Sequence, residues 1–203
     1  MCRNWGDTAK GVYALSYCVR LMTRDDIPRV SMLDREIFPS MKMHTNFQNE
    51  LKNCLAYYIV VYKKGEASGC VAGVDNIIGY AGLWIMVGEA HVVNIAVSHN
   101  FRGQGIGELL LIALIELALN VHCNMITLEV RVSNTTAQKL YGKYGFTVRG
   151  IRTGYYTDNR EDGVIMTVDN IDGMGFKEEF KRLKSDYHKK RGAAEIILTA
   201  PLS

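Results

Sequence analysis

The glycine-rich run Arg102-Gly103-Gln104-Gly105-Ile106-Gly107 opens onto sixteen residues, Ile106–Val121, that are apolar almost all round; the polar positions are Glu108, Glu116 and Asn120. A helix without a polar face has to be buried. This one is short for a membrane span and carries two glutamates, so it reads as a core helix. A strand-like run, Glu89–Val97, precedes it and another, Met125–Val132, follows. Strand–helix–strand passages are right-handed crossovers that set the two strands parallel. The chain is therefore expected to be α/β, with a mixed central sheet.

The rest of the chain supplies partners for that unit. Ser16–Met22 is a candidate first strand, and Thr23 caps a helix to about Ile37 with Asp25 and Asp26 in its first turn. Phe38-Pro39-Ser40 breaks that helix, and Phe47–Leu55 is a second, short one. Ala56–Tyr62 is a strand by its β-branched and aromatic content. A glycine-bearing connection over Lys63–Asn76 leads to Ile77–Val87, which forms a tight hairpin with Glu89–Val97 at Gly88. Asn134–Tyr144 is a helix whose stripe is Ala137, Leu140, Tyr141 and Tyr144, stopped by Gly145. Phe146–Tyr156 and Gly163–Val168 are two last strands, and Gly173–Arg191 is a basic helix.

Composition bounds the class. The chain has 203 residues, 48% of them apolar and three of them proline, which suits one domain with a real core. Net charge is +3, and the excess sits at the end: Lys177–Ser203 holds seven Lys/Arg against four Asp/Glu. The five cysteines are widely spaced and form no C-x-x-C, so no disulfide framework and no metal site is indicated. They read as thiols of a reducing compartment, and with no leader pattern visible the expected location is cytoplasmic.

A strand-to-helix turn of glycines is a phosphate site in the making. The first N–H groups of a helix are unpaired and partly positive, and glycines let the ligand approach the backbone. The dinucleotide fingerprint fails because Glu108 takes the place of its last glycine, and the Walker loop is absent. What remains is R-x-x-G-x-G, with Arg102 as an added charged donor.

With N-I-A-V (94–97), R-G-Q-G-I-G (102–107), L-E-V-R-V-S-N (128–134), A-Q-K-L-Y (137–141) and Y-G-F (144–146) in this order, the chain resembles the GNAT acetyltransferases. Within that family it is most similar to bacterial ribosomal-protein alanine N-acetyltransferases and archaeal N-terminal acetyltransferases, over roughly residues 16–170. The resemblance implies an acyl-CoA N-acyltransferase fold, its sheet splayed between the fourth and fifth strands and flanked by about four helices. Residues 1–15 would be an extension and 171–203 a basic tail, most simply a solvated end. It implies acetyl-coenzyme A as donor, its diphosphate on the amides of Gly103, Gln104, Gly105, Ile106 and Gly107, and its pantetheine arm along Ile95-Ala96-Val97, with an amide near Val97 polarising the thioester.

Glu129, Tyr141 and His91 are the acid–base candidates. Strand alternation sets Thr127, Glu129 and Arg131 opposite Ile126, Leu128 and Val130. A carboxylate on a central strand is costly unless it is used, and the resemblance makes Glu129 the general base. Tyr141 belongs to an apolar stripe and on its own reads as core packing; the resemblance makes it the acid for the departing thiolate. Asn134 is an N-cap that, in the family, also touches the coenzyme. A histidine at the position of His91 assists deprotonation in the archaeal relatives. Phe38, Pro39, Tyr155 and Tyr156 are placed by the resemblance beside the acceptor. The tryptophan common after Phe-Pro in the bacterial family is missing here, where Ser40-Met41-Lys42-Met43 follows.

The acceptor is expected to be a protein N-terminus, a ribosomal protein among the candidates, with no membrane partner and at most weak nucleic-acid contact through the tail. Freeing an α-amine of its proton at pH 7 takes about 1.4 kcal/mol against about 4.6 for lysine, which suits a modest base. A small-molecule amine acetyltransferase would want an acidic acceptor pocket, and no acidic cluster is apparent near Phe38 or Tyr155. A non-catalytic acyl-coenzyme A sensor would lack Glu129 or Tyr141, and both are present.

Overall fold

The computed structural model describes residues 17–40, 44–63 and 77–199. The expected extension over 1–15, Met41-Lys42-Met43 and the connection after Lys63 lie outside them. Among the described residues eight strands form one mixed sheet: β1 Tyr17–Leu21, β2 Ala56–Lys63, β3 Ile77–Met86, β4 Glu89–Val97, β5 Met125–Arg131, β6 Thr147–Tyr156, β7 Glu161–Asp169 and β8 Ala194–Ile197. Five helices accompany them: α1 Ile27–Ile37, α2 Phe47–Glu50, α3 Ile106–Asn120, α4 Thr135–Lys143 and α5 Met174–Arg191. The spatial order is β6-β7-β5-β4-β3-β2-β1-β8. β4 and β5, joined by α3, are parallel as expected, at the middle of the sheet.

The two faces of the sheet are covered differently. α3 lies on one face with Leu109 to Ile115 fully buried, and α4 and α5 pack beside it. On the other face α1 and α2 bring Val30, Leu33 and Phe47 onto Tyr58, Tyr62 and Tyr80.

Local chemistry explains where elements depart from expectation. The α-helix expected from Thr23 begins at Ile27, after a 3-10 turn over Arg24–Asp26. Asp26 folds back to accept from the Thr23 amide at 2.8 Å and from two nitrogens of Arg20 at 2.6 and 2.8 Å, and Pro28 has no N–H for an α-helical bond. The helix expected over Phe47–Leu55 stops at Glu50, and Asn53 accepts from the Leu55 amide in a side-chain turn.

The segment after Asn170, expected as a basic tail, packs on the same core. Phe176, Phe180, Leu183 and Tyr187 form one apolar stripe of α5 among its lysines, and β8 adds to the sheet edge in parallel register with β1.

β4 divides into two halves. Glu89–Val92 pair with Met125–Leu128 of β5, and there the pairing ends although both strands continue. The break coincides with a slip in the β3–β4 register: Gly82 faces Asn94 and Leu83 faces Val92, so Val93 is the extra residue of a bulge. A bulge bends its strand and increases its twist. Beyond Val93 the β5-facing edge of β4 carries main-chain groups that no strand among the described residues pairs. Gly82 permits the bend, since a Cβ there would lie 2.5 Å from the Tyr58 ring and 3.0 Å from Asn94 Oδ1.

Candidate active site

Where β4 and β5 part, a cleft of about 270 Å³ opens, lined among others by Asp34, Phe38, Ile95, Glu129, Tyr141 and Tyr156. Val93, Asn94, Arg131 and Asn134 also reach it. Asn94 Oδ1 is buried there with no hydrogen-bond partner among the described residues.

Glu129 is the first residue of β5 past the last paired position, and its side chain is only 5% exposed. Both oxygens face a cationic or potentially cationic group: Oε2 lies 2.7 Å from His91 Nε2, and Oε1 lies 3.2 Å from the Arg152 guanidinium on β6. His91 and Thr127 are register partners across β4 and β5, so Glu129 sits two residues further along β5 on the same face. Tyr155 completes the surround; burial first, then the Glu129 charge, pushes its phenol above the ordinary value. The site therefore holds a carboxylate–histidine pair in which each group can orient, charge or relieve the other.

Tyr141 projects from α4, whose first turn Asn134 caps by accepting from the Ala137 amide at 3.1 Å. Burial pushes the Tyr141 phenol up to about 12. It packs obliquely on Phe146 at 5.9 Å, so the packing role and the presence in the cleft coexist. A phenol so shifted keeps its proton at neutral pH and acts as a donor.

The outer wall is tied together by charge. Arg131 stacks on the Tyr156 ring at 3.9 Å while pairing with Asp158 at 2.9 Å and Glu161 at 3.0 Å. The Tyr156 hydroxyl donates to the Glu129 carbonyl at 3.3 Å, and Tyr155 meets Tyr156 edge-on at 5.1 Å. Ser40 donates to Asp158 at 3.0 Å, linking the Phe38-Pro39 loop to the β6–β7 loop. On the opposite wall Asp34 is buried, accepting from the Tyr80 hydroxyl and lying 2.8 Å from His44 Nδ1. The expectation of no acidic cluster near Phe38 is thus corrected: Asp34, one helical turn before Phe38, shares the cleft with Glu129. Both Asp34 oxygens are engaged, so it presents little free charge.

The glycine loop lies at the far end of β4. Gly105 has φ +87°, a left-handed conformation that only glycine adopts without strain, and begins α3. A Cβ on Gly103 would meet nothing within 4 Å, and one on Gly107 only Val97 at 4.0 Å, which leaves an open cradle over the first amides of α3. Arg102 donates to the Val97 carbonyl at 3.2 Å, closing the end of β4. Gln104 accepts from the Tyr17 hydroxyl at 3.2 Å. These unpaired amides and the open strand edge fit an extended ligand with a diphosphate at one end.

Of the site residues expected from sequence, Phe38, Ile95, Glu129, Asn134, Tyr141 and Tyr156 meet in the cleft. His91 and Tyr155 act on it through Glu129. Ala96, Val97 and Arg102–Gly107 continue the strand toward the cradle, whereas Pro39 does not line the cleft. Sequence reasoning missed Asp34, Asn94 and Arg152. The signal for Arg152 was slight: a basic residue three positions before Tyr155 on an edge strand, beside a register slip between Arg152 and Tyr156.

The acetyltransferase (GNAT) family model matches residues 27–146. A Bacillus subtilis (strain 168) protein, provisionally named a ribosomal protein bS18-alanine N-acetyltransferase, is 40% identical over 151 residues, 74% of this chain and 93% of its own length. An N-alpha-acetyltransferase of Sulfurisphaera tokodaii is 32% identical over 156 residues, 74% of this chain and 91% of its own. Among solved structures, the ribosomal-protein-S18-alanine N-acetyltransferase from Escherichia coli matches with a TM-score of 0.62 at 24% identity, over 76% of this chain and 94% of that one. Arabidopsis thaliana NAA60 in complex with acetyl-CoA gives 0.67 at 18%, over 78% and 100%. At these identities the structural likeness concerns the fold.

Proposed function

The chain belongs to the acetyltransferase (GNAT) family, whose acetyl donor is acetyl-coenzyme A, and from that premise we propose that it acetylates the α-amine of protein N-termini, of the ribosomal-protein alanine type. The observation that carries this reading is the cleft itself. It joins a nearly buried Glu129 held by the half-buried His91, a protonated Tyr141 and an unpaired strand edge within one narrow, aromatic-walled space. The names of the Bacillus and Sulfurisphaera relatives support the same acceptor class.

Acetyl-coenzyme A, when bound, supplies a thioester carbonyl for the amine and a thiolate that departs. The amides of Gly103–Gly107 hold its diphosphate, and the open edge of Val93–Val97 pairs with its pantetheine arm. The amides at Val93–Ile95, nearest Glu129, are the ones that reach the carbonyl; Val97 does not line the cleft. Glu129 takes the proton of the α-ammonium, directly or through water, and His91 holds the carboxylate in place and shares the proton. An ammonium reaching Oε1 displaces Arg152, whose side chain is half exposed and can turn to solvent. Tyr141 donates to the developing thiolate. Its phenol, at about 12, lies well above an ordinary thiol near 8.5. Its contribution is therefore a strong hydrogen bond, with full proton transfer uphill by about 5 kcal/mol.

A polyamine acceptor has one point in its favour, Asp34 across the cleft from Glu129, and that carboxylate is already shared between Tyr80 and His44. The deciding assay offers acetyl-coenzyme A with an alanine-leading peptide, the same peptide α-blocked but carrying a lysine, and spermidine. The α-amine should be the acetylated site, with kcat/KM roughly tenfold or more above the others. Preference for spermidine or for the lysine would end this reading.

A further inference from the structure

α5 runs beside α3 in the opposite direction. Lys184 pairs with Glu116 near the end of α3, Tyr187 lies within the field of Glu108, and Arg191 reaches Gly105 at its start. A Cβ built on Gly105 would lie 3.1 Å from Arg191 Nε and 3.3 Å from its Cδ. The position is built from both sides. Phe180, Leu183 and Tyr187 fix the helix in the core before it. After it, β8 fastens the chain to β1, where Tyr17 pairs with Ala194 and also donates to Gln104 of the loop. The ion pairs of α5 among the described residues involve Arg182, Lys184 and Lys189, not Arg191. Lys189 and Lys190 raise the positive potential of the same last turn. α5 and β8 themselves lie beyond the span of the family model, which ends at residue 146.

We propose that Arg191 is a phosphate ligand: its guanidinium closes over the glycine loop and pairs with the diphosphate of coenzyme A. The inference rests on the reading of Gly103–Gly107 as the diphosphate site. A planar fork of donors matches phosphate oxygens better than any other side chain. Set against Gly105, it adds a charged side chain to the backbone amides of α3, so a backbone cradle becomes a clamp. The second-to-last described element thus contributes a binding residue from outside the span that the family model matches.

The test is calorimetric binding to the full chain of coenzyme A, 3′-dephospho-coenzyme A and acetyl-pantetheine, each at two salt concentrations. Arg191→Met should weaken the first two equally, by roughly tenfold or more, the size of one charged hydrogen bond. It should flatten their salt dependence and leave acetyl-pantetheine unchanged; Arg191→Lys should lose less. Unchanged or tighter binding would overturn the proposal, as would a loss confined to coenzyme A with its 3′-phosphate. A loss with unaltered salt dependence and a lower melting temperature of the free protein would overturn it too, since Arg191 would then merely brace the loop. Gly107→Asp, at an open position, separates the two ideas. If it binds coenzyme A normally the loop assignment itself fails; if it does not, while Arg191→Met does, only the clamp is lost.

Discussion

On the function proposed above, the coenzyme side and the acceptor side of the cleft are made of different materials. The coenzyme side is mainly backbone: the amides of the Gly103–Gly107 loop and the β4 edge left open beyond Val93, with the proposed Arg191 clamp as its one charged addition. The acceptor side is side-chain charge: Glu129 between His91 and Arg152, Asp34 between Tyr80 and His44, and Arg131 spanning Asp158 and Glu161. Backbone donors cannot titrate and hold one geometry, which suits a donor substrate that is the same in every turnover. Side-chain groups can gain and lose protons, which the amine requires. The two halves should therefore fail separately when disturbed.

Glu129→Gln should break the acceptor side most deeply. It keeps shape and hydrogen bonding but takes no proton, so kcat/KM with an alanine-leading peptide should fall by about 10²–10⁴ at pH 7. Coenzyme binding should be unchanged. The deficit should shrink toward pH 9, where the α-amine sheds its proton unaided. A deficit constant across that range would mean that Glu129 only positions the peptide and that His91 must be examined as the base.

Tyr141→Phe stands at the boundary of the two sides and should lower kcat by roughly 10² with little change in melting temperature. Because burial holds the phenol up to about 12, its proton is present throughout the assay range, and the wild type should show no falling limb from Tyr141 below pH 10. If stability falls while activity per folded molecule does not, Tyr141 is core alone.

Gly107→Asp addresses the backbone side. The site is open, the first turn of a helix favours a carboxylate, and the fold should be kept. Repulsion of the diphosphate should weaken acetyl-coenzyme A by roughly tenfold or more. Gly105 is the poorer choice, since its φ of +87° and the nearby Arg191 would strain any side chain. Peptide affinity, measured apart from turnover, should not move.

The smallest effect concerns stability alone. Burial would raise the Asp26 carboxyl, but hydrogen bonds from Arg20 and Thr23 outweigh it and hold the group below the ordinary 3.8. A depressed carboxyl stabilises the fold above its unfolded pKa, and that contribution disappears as pH falls through the folded value. Asp26→Asn should lower stability at pH 7 by about 1–3 kcal/mol and flatten the decline in acid. Hydrogen exchange at a pH below the ordinary 3.8 should show α1, on the acceptor side, opening before α3.

The same division governs what could be read from the sequence. Glycine spacing and an all-apolar helix are local, so the loop, α3 and the parallel β4–β5 pair were legible, and strand alternation correctly set Glu129 apart from Ile126 and Leu128. The partners of Glu129 were not. His91 was a candidate on its own account, but its bond to Glu129 depends on the β4–β5 register, and the Arg152 contact depends on how β6 and β7 slip. Asp34 carries no local signal, because Tyr80, which donates to it, lies on a distant strand that only the fold brings near. α5 was legible as a basic helix, but its apolar stripe was diluted by seven lysines and arginines in the last 27 residues, and its docking on α3 was not foreseen.

β8 finally sets the moment at which the sheet is complete. Its register joins Tyr17–Arg20, among the first described residues to leave a ribosome, to Ala194–Ile197, among the last. Parallel pairing over such a separation is slow, because nearly the whole chain must be closed into a loop first. Until then β1 presents an open strand edge, a template on which other nascent chains can add. Synthesis and the completion of the proposed phosphate clamp are thereby put in sequence: Arg191 ends the helix that leads into the strand sealing the sheet, and a chain whose β8 has not yet emerged lacks that seal.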